Sequence, residues 1–266
     1  MEASRYLARL GYKGAPETSP ECLRALHKSH LLAVPFENLD IHIGRPIVLE
    51  EERLLEKIVE QRRGGFCYEL NGAFAWLLRS FGFEVELLSA AVARPDGSFD
   101  PPFDHLALAV RLQEWWLCDV GFGDSFIEPI RLETGASTQR NIDYRVVETS
   151  DFTDLFGDED TRLLERRKEN GPWEAQYVFS LRPRVLSDFS AMCQYHQTSP
   201  ESIFTQKRSC SMATEEGRVT VTGNRLIQTD GDTRTERELK DSIEYQQVLS
   251  KLFGVSLDLT SIDKMR

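Results

Sequence analysis

Cys67, His105 and Asp119 are the residues whose types and settings could do covalent chemistry. Cys67 follows Gly64-Gly65 and opens the run CYELNGAFAWLLRS, in which Leu70, Phe74, Leu77 and Leu78 recur at helical spacing. A lone cysteine is most often a buried structural thiol. Here two glycines let the backbone turn sharply into a helix N-terminus, whose unpaired N–H groups and dipole favour a thiolate and draw a thiol pKa from about 8.5 toward neutrality. His105 begins the strand-like HLALAVRL, after Pro101-Pro102-Phe103-Asp104, and is the candidate base. Asp119 lies in WWLCDVGFG among Trp115, Trp116, Leu117, Val120 and Phe122, where a carboxylate must be paired.

Each residue alone has a plainer reading: a packed thiol, a satisfied or surface histidine, and a turn-capping aspartate ahead of Gly121. Together, in the order Cys, His, Asp and separated by 38 and 14 positions, they match the arrangement of papain-like thiol enzymes. In that arrangement a helix carries the cysteine, a strand carries the base, and a third group fixes the imidazole. The residues by themselves limit the chemistry to a cysteine nucleophile with His/Asp support, which spans proteases, transglutaminases and acyltransferases.

The elements that must position the three change character along the chain. Residues up to 82 read as helices: ECLRALHKSHLLAVPF, LEEERLLEKIVEQRR and YELNGAFAWLLRSFGF, the last closed by Gly82. Beyond Gly82 the period becomes two, in EVELLSAAVAR, HLALAVRL, EWWLCDVGF, IDYRVVET and EAQYVFSLRP. The charge-crowded DFTDLFGDEDTRLLERRKENGP between the last two reads as a solvated loop or hairpin tip. GRVTVTGNRLIQTD then reads as a hairpin and DSIEYQQVLSKLFGV as a terminal amphipathic helix. The fold class expected is α+β, in three parts: a helical bundle over 1–82 with the cysteine, a β-barrel over 83–186 with His105 and Asp119, and an α/β lid over 187–266.

Composition narrows the partners. The 266 residues carry 32 Lys+Arg against 43 Asp+Glu, a net charge of −11, which disfavours nucleic acid and anionic lipid. No apolar run reaches the roughly 18 residues of a membrane span, and the charged start, MEASRYLARLGYKG, lacks a signal-peptide stretch, so a cytoplasmic protein is expected. Five scattered cysteines without a CxxC pair, and a His27/His30 pair with no matching ligands, argue against a disulfide framework and against a structural metal.

Arg63-Gly64-Gly65-Phe66-Cys67-Tyr68-Glu69-Leu70-Asn71 resembles the signature of the arylamine N-acetyltransferases. So do Pro35-Phe36-Glu37-Asn38-Leu39-Asp40 upstream and Asp119-Val120-Gly121-Phe122-Gly123 downstream. The resemblance continues to Ser202-Ile203-Phe204-Thr205 and Thr214-Glu215-Glu216-Gly217-Arg218, so it covers nearly the whole chain. It implies a cytosolic enzyme that moves acetyl from acetyl-CoA to an arylamine or arylhydrazine nitrogen, or to the oxygen of an N-hydroxyarylamine. It also implies a ping-pong course through acetyl-cysteine, with a role in xenobiotic metabolism. The implied triad is Cys67, His105 and Asp119. Phe36, Phe122 and Phe204 resemble pocket residues, and Thr214 with nearby Lys207 and Arg208 is the candidate coenzyme contact. The partners expected are coenzyme A and a small arylamine or hydrazine, with no metal, on a monomer or weak homo-oligomer. Two departures stand out: the loop before His105 holds Asp100 and Asp104 where the family often has small or neutral residues, and the acidic 151–170 stretch has no clear counterpart. The rivals are a thiol hydrolase with the same triad and a non-catalytic binding protein that keeps the pocket.

Overall fold

A computed structural model describes residues 2–133, 135–157, 160–258, 260 and 262 of the chain. The first eighty residues are helical where the 3.6 period runs. Ser19 caps the helix Pro20–Ala33 by accepting the Cys22 N–H at 3.2 Å, with Pro20 in the first turn, where its missing N–H costs nothing. The second segment is an α-helix over Glu51–Leu55 that widens into a π-helical turn at Glu56–Glu60. The third helix, Cys67–Ser80, is apolar on nearly every side and buried accordingly. Gly82, at φ +84°, ends it, its N–H reaching the Arg79 carbonyl while that of Phe83 reaches Leu78.

Among the described residues the strands form two antiparallel sheets, of eight and five strands. The larger runs in spatial order Ile130–Arg131, Trp115–Cys118, His105–Arg111, Glu84–Val92, Glu174–Arg184, Thr161–Lys168, Ile142–Thr149 and Ser137–Gln139. It curls until Ile130–Arg131 approaches Ile142–Thr149, so the barrel is nearly closed. Alternation along the strands fills two cores. Ala107, Ala109, Leu117, Leu164 and Tyr177 pack inside the barrel, while Leu106, Leu108, Val110 and Cys118 pack outward onto the helix Cys67–Ser80. Phe74 on that helix is fully buried, and its truncation to alanine should cost about 3–5 kcal/mol.

The charged 151–172 segment, read as a solvated loop or hairpin tip, instead contains a full strand; its residues 158 and 159 lie outside the described ones. After the short helix Thr153–Phe156, residues Thr161–Lys168 form an inner strand of the barrel. Thr161 and Leu164 are buried, and two of the charges pair across to the adjacent strand, Glu165 with Arg145 at 2.7 Å and Arg167 with Asp143 at 2.8 Å. The charge density concealed the strand because partners on the adjacent strand balance it.

The smaller sheet joins the two ends of the chain. Phe36–Glu37 pairs with Cys210–Ser211, and Ser209–Ala213, Gly217–Thr222, Arg225–Asp230 and Thr233–Glu238 follow as a meander. The terminal helix Ser242–Phe253, capped by the Asp241 side chain on the Glu244 N–H at 2.8 Å, covers this sheet through Tyr245, Leu249 and Phe253.

Candidate active site

The turn that presents Cys67 is fixed by steric necessity and by buried charge. A Cβ on Gly64 would stand 1.9 Å from the Pro35 carbonyl oxygen, so no other residue fits there without backbone movement. Glu37 then takes the Gly65 carbonyl at 2.8 Å through its N–H. Glu69 reaches back from the first helical turn, its Oε2 accepting the Phe66 N–H at 3.1 Å. Beneath the turn, Arg63 donates to Glu37 from Nε at 2.8 Å and meets Asp40 at 2.9 Å. Lys57 Nζ bridges Asp40 at 2.8 Å and Glu69 at 2.7 Å. Burial works against both cations, and the facing carboxylates outweigh it and hold them charged. Three carboxylates share these two cations, and burial pushes Glu69 up to about 7 against the pull of Lys57.

His105 and Asp119 meet Cys67 from the barrel side. His105 Nε2 stands 2.7 Å from Asp119 Oδ2, with both residues buried. This leaves Nδ1 as the free nitrogen of the imidazole, whose ring is flanked by Phe122 at 5.2 Å and Tyr177 at 5.1 Å. Asp119 Oδ1 accepts from Asn71 Nδ2 and from the Gly121 N–H, each at 2.9 Å. Burial raises the Asp119 carboxyl, but His105 and these two donors more than offset that and hold it below its ordinary value. The carboxylate is therefore ionised at neutral pH and can stabilise an imidazolium.

Cys67 differs from its expected state. Burial pushes its thiol well above the ordinary range, and the nearby carboxylates of Asp104 and Asp119 add to the rise, while the Leu106 backbone N–H at the sulfur opposes it. The helix N-terminus alone does not yield a free thiolate. Charge on the sulfur requires the proton to pass to a neighbouring base, an internal transfer that conserves the net charge of the buried pair.

Two side chains outside the expected triad hold it together. Asn71, one helical turn beyond Cys67, donates to Asp119 and to the Leu106 carbonyl at 2.6 Å, and accepts the Val120 N–H at 2.9 Å. His27 accepts the Asp119 N–H on Nε2 at 3.1 Å, and its Nδ1–H donates to the Ile127 carbonyl at 2.9 Å. Burial lowers His27 to about 4, so it stays neutral in this bridging tautomer. Its neighbour His30 lies 2.9 Å from the Tyr6 hydroxyl. Neither histidine belongs to a metal-type cluster, and the described residues hold no such group of three or more His, Cys, Asp or Glu. The Asn71 amide stood within the recognised nine-residue signature, whereas His27 gave no signal because its partner is a backbone amide 92 residues away.

A cavity of about 690 Å³ brings Cys67 and His105 together with Phe36, Phe122 and Phe204. Of the five cysteines only Cys67 lines it. Lys207 reaches the rim of this cavity, but the other two residues read as coenzyme contacts do not. Thr214 sits in the turn before Gly217, its Oγ1 accepting the Gly217 N–H at 3.0 Å. Arg208 lies over the Tyr245 ring at 4.5 Å and lines a different cavity, beside His42 and Asn224. The local hairpin and the terminal helix claim these two side chains, which sequence proximity to Lys207 could not reveal.

No helix among the described residues is long and apolar enough to cross a membrane. The family model described as N-acetyltransferase matches residues 20–262. The chain is 34% identical to the arylamine N-acetyltransferase of Mycolicibacterium smegmatis, over 99% of this chain and 95% of that one. The solved structure of the arylamine N-acetyltransferase from Salmonella typhimurium superposes with a TM-score of 0.89 at 29% identity, covering 99% of this chain and 97% of the other. That of the Mycobacterium marinum arylamine N-acetyltransferase in complex with CoA gives 0.88 at 28% identity, covering 99% and 98%. By family model, by sequence and by fold, the chain belongs to the arylamine N-acetyltransferase family.

Proposed function

We propose that this enzyme transfers acetyl from acetyl-CoA to the nitrogen of arylamines and arylhydrazines, or to the oxygen of N-hydroxyarylamines, by a ping-pong course through acetyl-Cys67. The observation that carries the reading is the buried 2.7 Å His105–Asp119 pair, whose histidine lines the same cavity as the cysteine. The CoA bound by the Mycobacterium marinum relative supports the choice of donor.

His105 Nδ1 takes the Cys67 proton as the sulfur attacks the acetyl carbonyl, and returns a proton to the departing CoA thiolate. One thioester replaces another, so this half-reaction is close to balanced. The amine then attacks acetyl-Cys67, His105 takes its proton, and the thiol is regenerated. Asp119 stays ionised throughout and stabilises the imidazolium. Arylamines suit the second step because their low basicity leaves them uncharged at neutral pH. The rings of Phe36, Phe122 and Phe204 offer an aromatic acceptor a stacking surface and keep water from the thioester. The rival thiol hydrolase would need water at that same sulfur.

The division into 1–82, 83–186 and 187–266 belongs to the same proposal. The first part supplies the nucleophile, the second the base and its orienter, and the third closes the cavity with Ser202–Phe204. The cytoplasm, where acetyl-CoA is at hand, is the proposed location. Incubating the enzyme with acetyl-CoA and an arylamine should release CoA thiol and acetylated amine in equal amounts, and Cys67→Ser should abolish both. Thiol release without amine acetylation would mean a hydrolase, and turnover by Cys67→Ser would refute the covalent course.

A further inference from the structure

A second histidine–carboxylate pair lines the same cavity as Cys67 and His105. His196 Nε2 stands 3.2 Å from Asp104 Oδ1, with both residues lining the cavity beside Cys67 and His105. The pair is held from all sides. Ser202 Oγ accepts the Phe204 N–H at 3.2 Å and lies 3.2 Å from His196 Nδ1; because a carboxylate oxygen, an acceptor only, faces Nε2, the tautomer that suits both neighbours carries its proton on Nε2 and takes the hydroxyl proton on Nδ1. The His196 ring packs edge-on against Phe204 at 5.0 Å. On the Asp104 side, the Tyr68 hydroxyl donates to the carbonyls of Phe103 at 2.7 Å and Asp104 at 2.9 Å. Phe103 itself sits at φ +69°, a left-handed conformation that costs a bulky residue about 1–3 kcal/mol and that turns the chain into Asp104 and His105.

The two groups are close yet do not satisfy each other. His196 is 4% exposed, and its Nε2 lies off the line that a hydrogen bond to Asp104 requires, with no other hydrogen-bond partner among the described residues. A buried donor and a carboxylate acceptor thus stand side by side in the cavity that Phe36, Phe122 and Phe204 also line. The remaining charges, Arg94 with its partner Asp100, Glu201 and Lys207, occupy the rim; Arg94, Glu201 and Lys207 are exposed and Asp100 is partly so, which leaves their fields screened by water.

We propose that Asp104 and His196 form the acceptor-selecting subsite: it takes aromatic amines whose ring carries a neutral group that both donates and accepts hydrogen bonds, a carboxamide or a hydroxyl, and rejects those carrying a carboxylate. The inference rests on the reading of Cys67 as the acetyl carrier. A carboxamide accepts from His196 Nε2–H and donates to Asp104, completing both. A carboxylate can accept from His196 but sets a second carboxylate against Asp104, whose side chain is only 14% exposed, and like-charge contact of that kind is costly. Asp104 is thereby a specificity residue and His196 its partner; neither is assigned a part in proton transfer at the sulfur.

Steady-state kcat/KM with acetyl-CoA and three acceptors of similar shape, 4-aminobenzamide, 4-aminobenzoate and 4-ethylaniline, tests the subsite. The wild-type enzyme should prefer the amide to the carboxylate by about tenfold or more, although the carboxylate leaves its amine the more nucleophilic. Asp104→Asn should lower that ratio about tenfold, chiefly through a lower KM for 4-aminobenzoate. His196→Phe, which keeps the ring packing, should lose activity toward the amide relative to 4-ethylaniline. Ratios within each enzyme cancel any loss of folded protein. A wild-type enzyme that takes carboxylate and amide equally, or an Asp104→Asn enzyme with the wild-type ratio, overturns the subsite. Failure to acetylate all three acceptors would instead strike the transferase reading.

Discussion

Asn71 Nδ2 lies 2.9 Å from Asp119 Oδ1, so the helix that carries Cys67 is fastened directly to the carboxylate paired with His105. The same amide binds the Leu106 carbonyl and the Val120 N–H, spanning both barrel segments that contribute to the triad. Asn71→Ala should therefore lower kcat by about 10²-fold while changing the KM for acetyl-CoA little, since alignment is lost and the cavity is not. Asn71→Asp should be worse, because it sets a second carboxylate against Asp119. Steady-state kinetics with acetyl-CoA varied at saturating amine would check the split, and a loss confined to KM would contradict it.

Asp119→Asn tests the orienter. The amide keeps the shape but cannot stabilise an imidazolium, and its NH2 can favour the wrong tautomer of His105. The expected loss in kcat is about 10³- to 10⁴-fold. A pre-steady-state measurement should show both half-reactions slowed, because His105 moves a proton in each. Near-normal acylation with slow deacylation would limit Asp119 to the second step.

Gly121 lies against Cys67, the proposed nucleophile. A Cβ there would come 2.7 Å from both the Cys67 Cα and Asn71 Nδ2. Gly121→Ala should destabilise the fold by about 1–3 kcal/mol and depress kcat, whereas Gly135→Ala, with open space around it, should do neither. Denaturant midpoints and kcat for the two variants make the comparison.

His27 sets a pH dependence of stability. Burial carries it from 6.5 to about 4, so between those values the unfolded chain holds a proton that the folded chain lacks. Its contribution is complete above pH 6.5 and is lost as the pH falls toward 4, about 3 kcal/mol over the window. His30, also lowered by burial, acts with the same sign. Glu69 runs the other way: raised from 4.5 to about 7, it favours the folded state at low pH and loses that contribution as pH rises through the window. Two histidines outweigh one glutamate, so stability should fall on acidification from pH 6.5 to 4.5. His27→Gln can keep both hydrogen bonds without titrating, and should reduce the slope by about one proton, roughly 1.4 kcal/mol per pH unit. An unchanged slope in urea titrations would remove His27 from this account.

The three residues proposed as the triad stand out in the sequence because each lies where a period changes: Cys67 at a helix start, His105 at a strand start, Asp119 just past a strand end. What the chain did not disclose was pairing across distance. Asp104 and His196 are 92 residues apart and neither sits in a periodic run that predicts the other. Phe36–Glu37 is too short to read as a strand, yet it ties the first segment to the last through Cys210 and Ser211. Thr161–Lys168 hid its strand behind charges that are neutral only in the company of Asp143 and Arg145. The helix N-terminus by itself points to a low thiol pKa, whereas burial, invisible in a motif, pushes the Cys67 thiol up.

The central claim is that Cys67 carries the acetyl group, and intact-protein mass measurement after brief incubation with acetyl-CoA alone tests it most directly. The wild-type chain should gain a single acetyl group, peptide mapping should place it on Cys67, and addition of an arylamine should remove it. Cys67→Ala should gain none. An acetyl group on another residue, or amine acetylation that proceeds with no acetylated enzyme under any condition, would contradict the account.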